Sequence, residues 1–240
     1  LSGKDLTGTI LRGADLSYTN LDGVDLSGKD LTGTIFSGVD LSSMDLSNVI
    51  LAGVDLSYTK LSGQDLSYKD LTGTILNASD LTNVNLSGVD LSGKDLSYAN
   101  LSGVNLSGKD LSHTKFNHAK LEGVNLENTN LLYTIFSGAH FDKSLKKSNL
   151  DGMKGGGLAY TNLEGFDFSG ISLKDISFKG AKLEGADFSN TRLEGIIFVG
   201  TNLIDADFES ADLSRSDITI TVCGDCEIPP LNTPQNELTG

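Results

Sequence analysis

The residues with the clearest capacity for chemistry are three histidines and two cysteines, namely His113, His118, His140, Cys223 and Cys226. Imidazole and thiolate groups bind metals or act as bases and nucleophiles when partners converge on one site. His113 and His118 could share a metal contact, although ordinary surface positions are the simpler explanation for all three histidines. The chain contains no Ser/His/Asp set, nucleotide-binding loop or zinc-ligand spacing. The sequence therefore predicts a protein that is not an enzyme and has no cofactor or metal.

The two cysteines stand three positions apart, ahead of two prolines and a polar end. A Cys-x-x-Cys pair outside a thioredoxin-like βαβ context gives weak support for redox catalysis. Cys223 and Cys226 could form a local disulfide, bind a metal with ligands from outside, or remain free thiols. We expect the disulfide if the protein is exported and free thiols if it is not.

The chain is strongly acidic, and its 240 residues carry a formal net charge of −14. Such a balance disfavours direct nucleic-acid binding and adhesion to an anionic membrane. No apolar run reaches transmembrane length, and no signal peptide is visible. We expect no membrane partner, and the sequence favours the cytoplasm without fixing the compartment. Because the chain begins at Leu1 without Met, we interpret it as a piece of a longer protein.

One apolar residue recurs at every fifth position from Leu1 to Phe141, and this series must position the charged groups. Five residues advance about 500° on an α-helix, so these side chains would form no stripe there. On a flat strand they would alternate between the two faces. They can share one interior only if the chain turns a corner within every unit and each coil stacks on the next.

Each position of the five-residue unit has a predicted direction relative to the central leucine. The residue two before the centre is usually small or β-branched and should point inward, as in Val24 and Thr34. The residue directly before the centre should face outward, and it is often Asp or Asn. The second residue after the centre is often Gly, which suits a corner that needs positive φ. Lysines at the inward position, such as Lys94, should line the wall with their stems and bring their ammonium groups out or to an Asp.

The units Ala14–Tyr18 (ADLSY) and Ala99–Gly103 (ANLSG) resemble those of the pentapeptide-repeat family, and the resemblance covers roughly residues 1–218. It implies an all-β fold, a right-handed quadrilateral β-helix with one unit per side and twenty residues per coil. The solenoid would have about ten to eleven coils. Residues twenty apart would then lie above one another in columns along the rod.

Two such columns are candidate partner-binding surfaces, one acidic and one aromatic. The acidic column contains Asp5, Asp25, Asp45 and Asp65, and the aromatic one contains Tyr18, Tyr58 and Tyr98. The carboxylates could imitate the charge spacing of DNA, or they could serve the corners locally as Asp does in turns. The tyrosines could form a docking strip with members about 10 Å apart, or they could be solvated corner residues of a duplicated ancestor.

The five-residue rhythm breaks once, and this break divides the chain into predicted segments. Residues 1–141 form a first β-helix segment, 142–157 an insertion loop, 158–222 a second segment with a C-terminal capping strand, and 223–240 a Cys/Pro-containing tail. The candidate partner-binding residues of the insertion are its lysines, Lys143, Lys146, Lys147 and Lys154. Loops on a rigid scaffold often carry function, but a tolerated surface insertion would have the same sequence features.

These features predict a noncatalytic scaffold, a rigid acidic rod that presents its faces and a loop to a protein partner whose identity the sequence does not give. Some members of the resembled family inhibit type II topoisomerases as DNA mimics, so the resemblance implies action on gyrase as an alternative. A second alternative is a structural spacer or assembling unit, a homo-oligomer formed by end-to-end stacking of coils. A convex rod without a pocket is a poor place for catalysis.

Overall fold

The structure, a computed structural model, describes residues 1–218. Backbone segments twenty residues apart pair in parallel, for example Asp15 with Ile35 and Asp65 with Asn85. Twenty residues hold four of the five-residue units, so each coil has four sides and the coils stack into a β-solenoid.

The regular elements within residues 1–218 are short. They are helix α1 (Lys147–Leu150) and strands β1 (Ser172–Lys174) and β2 (Arg192–Glu194). The two strands pair in parallel with Leu173 opposite Leu193. The remaining backbone pairs are isolated and involve a single residue on a side, because a corner follows within five residues.

The core is a continuous stack of the central side chains. Every fifth residue from Leu11 to Phe136 is buried, and so is every fifth residue from Leu163 to Leu213. Burying one such side chain contributes about 1.5–3 kcal/mol relative to leaving it exposed. In the second series the ring centroid of Phe188 lies 4.5 Å from that of Phe168 in the coil before. The predicted inward series is confirmed.

Corners lie two residues after each centre, where the backbone enters the left-handed region. The N–H of Thr34 donates to the carbonyl oxygen of the central Leu31 at 2.8 Å, and Gly33 between them has a φ of +71°. This arrangement is a type II turn, and it confirms the predicted glycine corner. Larger residues also occupy corners, among them Tyr58 at +57°. The turn and the buried centre therefore outweigh a left-handed strain of about 1–2 kcal/mol per residue.

Inward lysines donate hydrogen bonds to the backbone of the preceding coil. The Lys94 ammonium donates to the carbonyl oxygen of Leu71 at 2.7 Å. In the same column Thr74 donates from its hydroxyl to the carbonyl oxygen of Leu51 at 2.9 Å, again twenty-three residues back. The same role is taken by Lys29, Gln64, Lys69 and Lys109. The predicted exit to solvent or pairing with Asp is thus replaced by bonds to backbone carbonyls.

The break is a coil with two additional residues. Ile135 pairs with Gly157, twenty-two positions on, whereas the other isolated backbone pairs of the described chain are twenty apart. Leu150 of helix α1 and Met153 are buried in the common core. The prediction that residues 142–157 leave the rod as a loop is therefore wrong. Leaving these apolar side chains outside would expose both them and the core they cover.

Candidate interaction surfaces

The acidic column lies on one side of four successive coils and is defined by Asp5, Asp25, Asp45 and Asp65. All four side chains are exposed. The column continues into an amide row, since Asp65 pairs with Asn85, whose side-chain amide donates to Asp65 Oδ1 at 3.0 Å. Asp45 also lies close enough to Asp25 for its charge to oppose the ionisation of Asp25, as expected of neighbours in one column.

Each carboxylate of the acidic column also serves its own corner. The N–H of Ser27 donates to Asp25 Oδ1 at 2.8 Å, and the N–H of Ser47 donates to Asp45 Oδ1 at 2.9 Å. Hydrogen bonds from the Ser or Thr two residues on lower the pKa of all four carboxyls below the ordinary value. The two interpretations of the sequence are thus compatible, because an Asp that holds a turn also stays ionised.

The predicted tyrosines lie on one corner of the rod, and we call Tyr18, Tyr58 and Tyr98 the tyrosine strip. They are 79%, 61% and 64% exposed, respectively. The Tyr18 ring lies over the corner of the next coil. A Cβ added to Gly38 at that corner would lie 2.5 Å from the ring. The Tyr98 ring stacks on His118 with the centroids 4.9 Å apart. In both cases the ring covers the corner that follows it on the next coil.

Sequence reasoning missed the residues beside this strip. The tetrapeptide Asp-Leu-Ser-Tyr occurs at 15–18, 55–58, 65–68 and 95–98, and three of its four copies place an outward Asp next to a tyrosine of the strip. Outward isoleucines occupy the coils between, as Ile35 and Ile75. The recurring tetrapeptide is the signal that could have revealed this alternation.

Two lysines of the break are held by acidic neighbours. Lys146 Nζ lies 3.4 Å from Glu127 Oε1, and Lys147 Nζ lies 2.9 Å from Asp167 Oδ2. Hydrogen bonds from Ser169 and Lys147 lower the pKa of Asp167 to about 2. Two of the four candidate partner-binding lysines are therefore paired with carboxylates of neighbouring coils.

The other two lysines of the break, Lys143 and Lys154, are exposed. Lys143 lines an open groove of about 670 Å³ whose apolar lining includes Phe141, Leu145 and Phe166. Lys154 pairs through its backbone with Lys174. The structure thus brings three of the lysines, Lys143, Lys146 and Lys147, to one groove, and Lys154 is not part of its lining.

His113 and His118 each stack on a tyrosine instead of converging. The His113 ring lies 5.0 Å from that of Tyr133, in addition to the stack of His118 on the tyrosine strip. Within residues 1–218 no group of three or more His, Cys, Asp or Glu residues could hold a metal ion.

Several predictions fall outside the described residues. They concern the disulfide between Cys223 and Cys226, the tail 223–240, and the capping strand beyond Ile218. In the part of the chain that is described, no helix has the length and apolar character needed to cross a bilayer.

Stacked coils with one five-residue unit on each side define a pentapeptide β-solenoid. The family model for pentapeptide repeats matches the chain in eight copies, at residues 1–28, 30–63, 55–93, 95–131, 110–145, 119–152, 158–195 and 181–219. The chain therefore belongs to the pentapeptide repeat family.

Solved structures similar to the chain include HetL, a pentapeptide repeat protein involved in heterocyst differentiation regulation from the cyanobacterium Nostoc sp. strain PCC 7120. It is 27% identical with a TM-score of 0.31, over 90% of this chain and 92% of that one. Rfr23 from the cyanobacterium Cyanothece 51142 is 19% identical with a TM-score of 0.22, over 79% and 91%. Full-length QnrB1, a plasmid-mediated fluoroquinolone resistance protein, is 14% identical with a TM-score of 0.21, over 94% and 91%. A search of the curated proteins finds no match.

Proposed function

We propose that the chain is a noncatalytic scaffold that presents its acidic column to a basic surface of a protein partner. The observation that carries this proposal is the column itself, four exposed carboxylates on successive coils with depressed pKa values. Neighbouring coils lie about 4.8 Å apart, so the four charges span roughly 14 Å. This length matches a patch of a few Lys or Arg side chains on a folded partner.

The solenoid supports this role because it fixes the spacing of the charges before the partner arrives. Each Asp is held to its corner by its own hydrogen bonds, so little side-chain entropy remains to be lost on binding. Charges at such a surface mainly raise the association rate and select the partner. Binding through the acidic column is therefore expected to weaken as the salt concentration rises.

The test is affinity capture of protein partners by the full chain, compared with the variant D25N/D45N/D65N. Asparagine removes the charge but keeps the turn, since Asn85 accepts the N–H of Ser87 at 3.1 Å in the same way. The proposal predicts that the variant retains its partner roughly tenfold less well, because three exposed charge pairs of about 0.2–1 kcal/mol each are lost.

The matched control is D187N/D207N/D212N, which removes equal charge from distant coils where each Asp also accepts an N–H from two residues on. This variant should bind as the unaltered chain does. Equal loss in both variants would mean that only net charge matters, and loss in neither would mean that the acidic column is not the binding surface.

Lys143 and Lys154 form a secondary part of this proposal, because both are exposed and the ion pairs of the break are made by Lys146 and Lys147. The double variant K143E/K154E leaves the coil intact, whereas shortening residues 142–157 would remove buried Leu150. Reduced capture of the same partner would assign these lysines to the interface, and unchanged capture would exclude them.

A second candidate function is a DNA mimic that binds or inhibits a type II topoisomerase such as gyrase. It is favoured by further exposed carboxylates on the adjoining side, at Asp30, Asp70, Asp90 and Asp110. Two complete columns would supply about one charge per 2.4 Å of axis, compared with about one per 1.7 Å in duplex DNA. Ile50 and the amide row interrupt both columns, so the scaffold is the preferred proposal.

A gyrase supercoiling assay with the purified chain separates these two functions. Inhibition that disappears in D25N/D45N/D65N would establish the DNA mimic. Unaltered supercoiling at micromolar protein would remove it and leave the scaffold.

We further propose that the rods assemble by end stacking. In this proposal the solenoid is right-handed and has about ten to eleven coils. The end coil of one copy placed against that of another would bury apolar side chains in the way that neighbouring coils of the rod do. Light scattering should then show a mass that rises with concentration. A constant monomer mass would contradict stacking.

A further inference from the structure

The side of the rod beside the tyrosine strip carries an acidic group and an aromatic ring together on three coils. In each of the tetrapeptides 15–18, 55–58 and 95–98 the Asp faces outward and the Tyr occupies the corner three residues later. Asp15 and Asp95 are exposed, and Asp55 is half-buried. We call these the Asp–Tyr pairs.

The coils between the Asp–Tyr pairs have a different character. Backbone pairing places Ile35 between Asp15 and Asp55, and Ile75 follows Asp55 on the next coil. Their corners carry the small residues Gly38 and Ala78. The surface therefore repeats every forty residues, or two coils, which corresponds to about 10 Å.

The array ends where the sign of the charge changes. The coil after the third pair places Lys115 beside Asp95 and His118 under the last tyrosine of the strip. Lys115 would repel a cationic ligand at that coil. The complete array therefore consists of three Asp–Tyr pairs. Its first and third tyrosines are four coils apart, or roughly 20 Å.

A carboxylate next to an exposed ring suits a guanidinium or ammonium group. The cation can pair with the Asp while lying over the Tyr face, and Arg is the better ligand because its planar group also stacks. One exposed pair of this kind contributes little, so recognition needs several pairs met at once by one ligand. The isoleucines between the pairs suit apolar side chains of the same ligand.

The period of the array selects the conformation of the peptide. A β-strand returns a side chain to the same face after about 7 Å or about 14 Å, neither of which matches two coils. A polyproline II helix has three residues per turn and rises 3.1 Å per residue, so it presents the same face about every 9.3 Å. Such helices commonly dock on aromatic surfaces.

We propose that the Asp–Tyr pairs bind a polyproline II segment of a partner protein that carries Arg or Lys at every third position. Three cations of the segment would meet the three pairs, and proline rings would lie against Ile35 and Ile75. This surface differs from the acidic column, so the inference goes beyond the proposed function and can fail or succeed separately.

The test uses the full chain and a fluorescently labelled peptide of four Pro-Pro-Arg repeats, with binding followed by anisotropy at low salt. Two control peptides have the same length: one has all arginines at one end, and the other has Gln in place of Arg. The repeat peptide should bind roughly tenfold or more tightly than either control. Equal binding of the two arginine peptides would overturn the proposal, because spacing would then not matter.

The variant Y18G/Y58G/Y98G removes the rings and leaves a residue that is common at these corners, so the solenoid should keep its fold. A second variant, D15N/D55N/D95N, removes the charges and keeps the turns, as Asn100 does by accepting the N–H of Ser102 at 3.1 Å. Each variant should weaken binding of the repeat peptide by roughly tenfold while the thermal melt by circular dichroism stays cooperative.

Two further variants make the outcome specific. Tyr68→Gly removes a ring that is 83% exposed on the opposite corner, half a coil away, and should leave binding unchanged. The acidic-column variant D25N/D45N/D65N should also bind the peptide normally. Loss of binding in either one, or full binding by the triple tyrosine variant, would contradict recognition by the Asp–Tyr pairs.

Discussion

At the scale of single residues, the outward aspartates combine a turn role with a charge role. The sequence offered the corner role and the acidic face as alternatives, and Asp25 has both, since it is exposed and accepts the N–H of Ser27. The inward lysines were harder to predict. Lys94 donates to Leu71, twenty-three positions back, and such a contact depends on side-chain reach between coils, which a local pattern does not encode.

Acid should destabilise the fold through these aspartates. Hydrogen bonds lower the folded-state pKa of Asp25 and Asp45 below the ordinary value, so between the two values the unfolded state binds more protons. This contribution to stability is then complete above the ordinary aspartate pKa of about 3.9 and is lost as the pH falls through the lowered folded-state values. The urea midpoint measured across this range should fall, and it should fall less in D25N/D45N/D65N. A midpoint independent of pH would contradict this role.

Glycine should stabilise a corner that now carries a larger residue. Ser210 is exposed and has a φ of +57°, so Ser210→Gly relieves left-handed strain and should add about 0.5–1 kcal/mol to the free energy of unfolding. Ser214 does not have positive φ and donates its N–H to Asp212, so Ser214→Gly should cost about 0.5–1 kcal/mol. Chemical denaturation of both variants measures the difference, and effects of equal sign would refute the corner assignment.

At the scale of elements, the sequence predicted where the break lies but not the path of the chain through it. The two-residue shift of the centres predicted the position of the break, and Ile135 pairs with Gly157 in agreement with that shift. The path could not be predicted, because Leu145 and Leu150 fall in neither of the two series of centres. Their burial against the neighbouring coils selects a short helix instead of a loop.

Gly156 should be the least replaceable glycine of the break. Its φ is +80°, and an added Cβ would lie 2.0 Å from the carbonyl oxygen of Thr134. Gly156→Ala must therefore push two coils apart and should cost roughly 2–4 kcal/mol. Gly28→Ala is the control, because Gly28 has a φ of +68° but open space around it, and it should cost only about 1 kcal/mol. Equal losses in urea denaturation would show that the coils are not in contact there.

At the scale of the whole molecule, the period of five predicted both the fold class and the columns. The buried centres and the vertical order of Asp65 and Asn85 follow from that period together with the family resemblance. The alternation of Asp15, Ile35 and Asp55 required the coordinates to be recognised as one surface, because these residues are neighbours only across coils. Both proposed binding surfaces therefore depend on the same twenty-residue coil.

Disulfide mapping tests directly whether residues twenty apart are neighbours on adjacent coils. It uses a chain whose Cys223 and Cys226 are replaced by Ser. Asn105 and Asn125 pair on neighbouring coils, at a separation of about 5 Å that suits a disulfide. The variant N105C/N125C should form an intramolecular disulfide under mild oxidation, detected by mass spectrometry of the linked peptides. The variant N105C/N130C, whose cysteines lie on different sides, should not. A link in the second variant and none in the first would contradict the stacked twenty-residue coil and both binding surfaces with it.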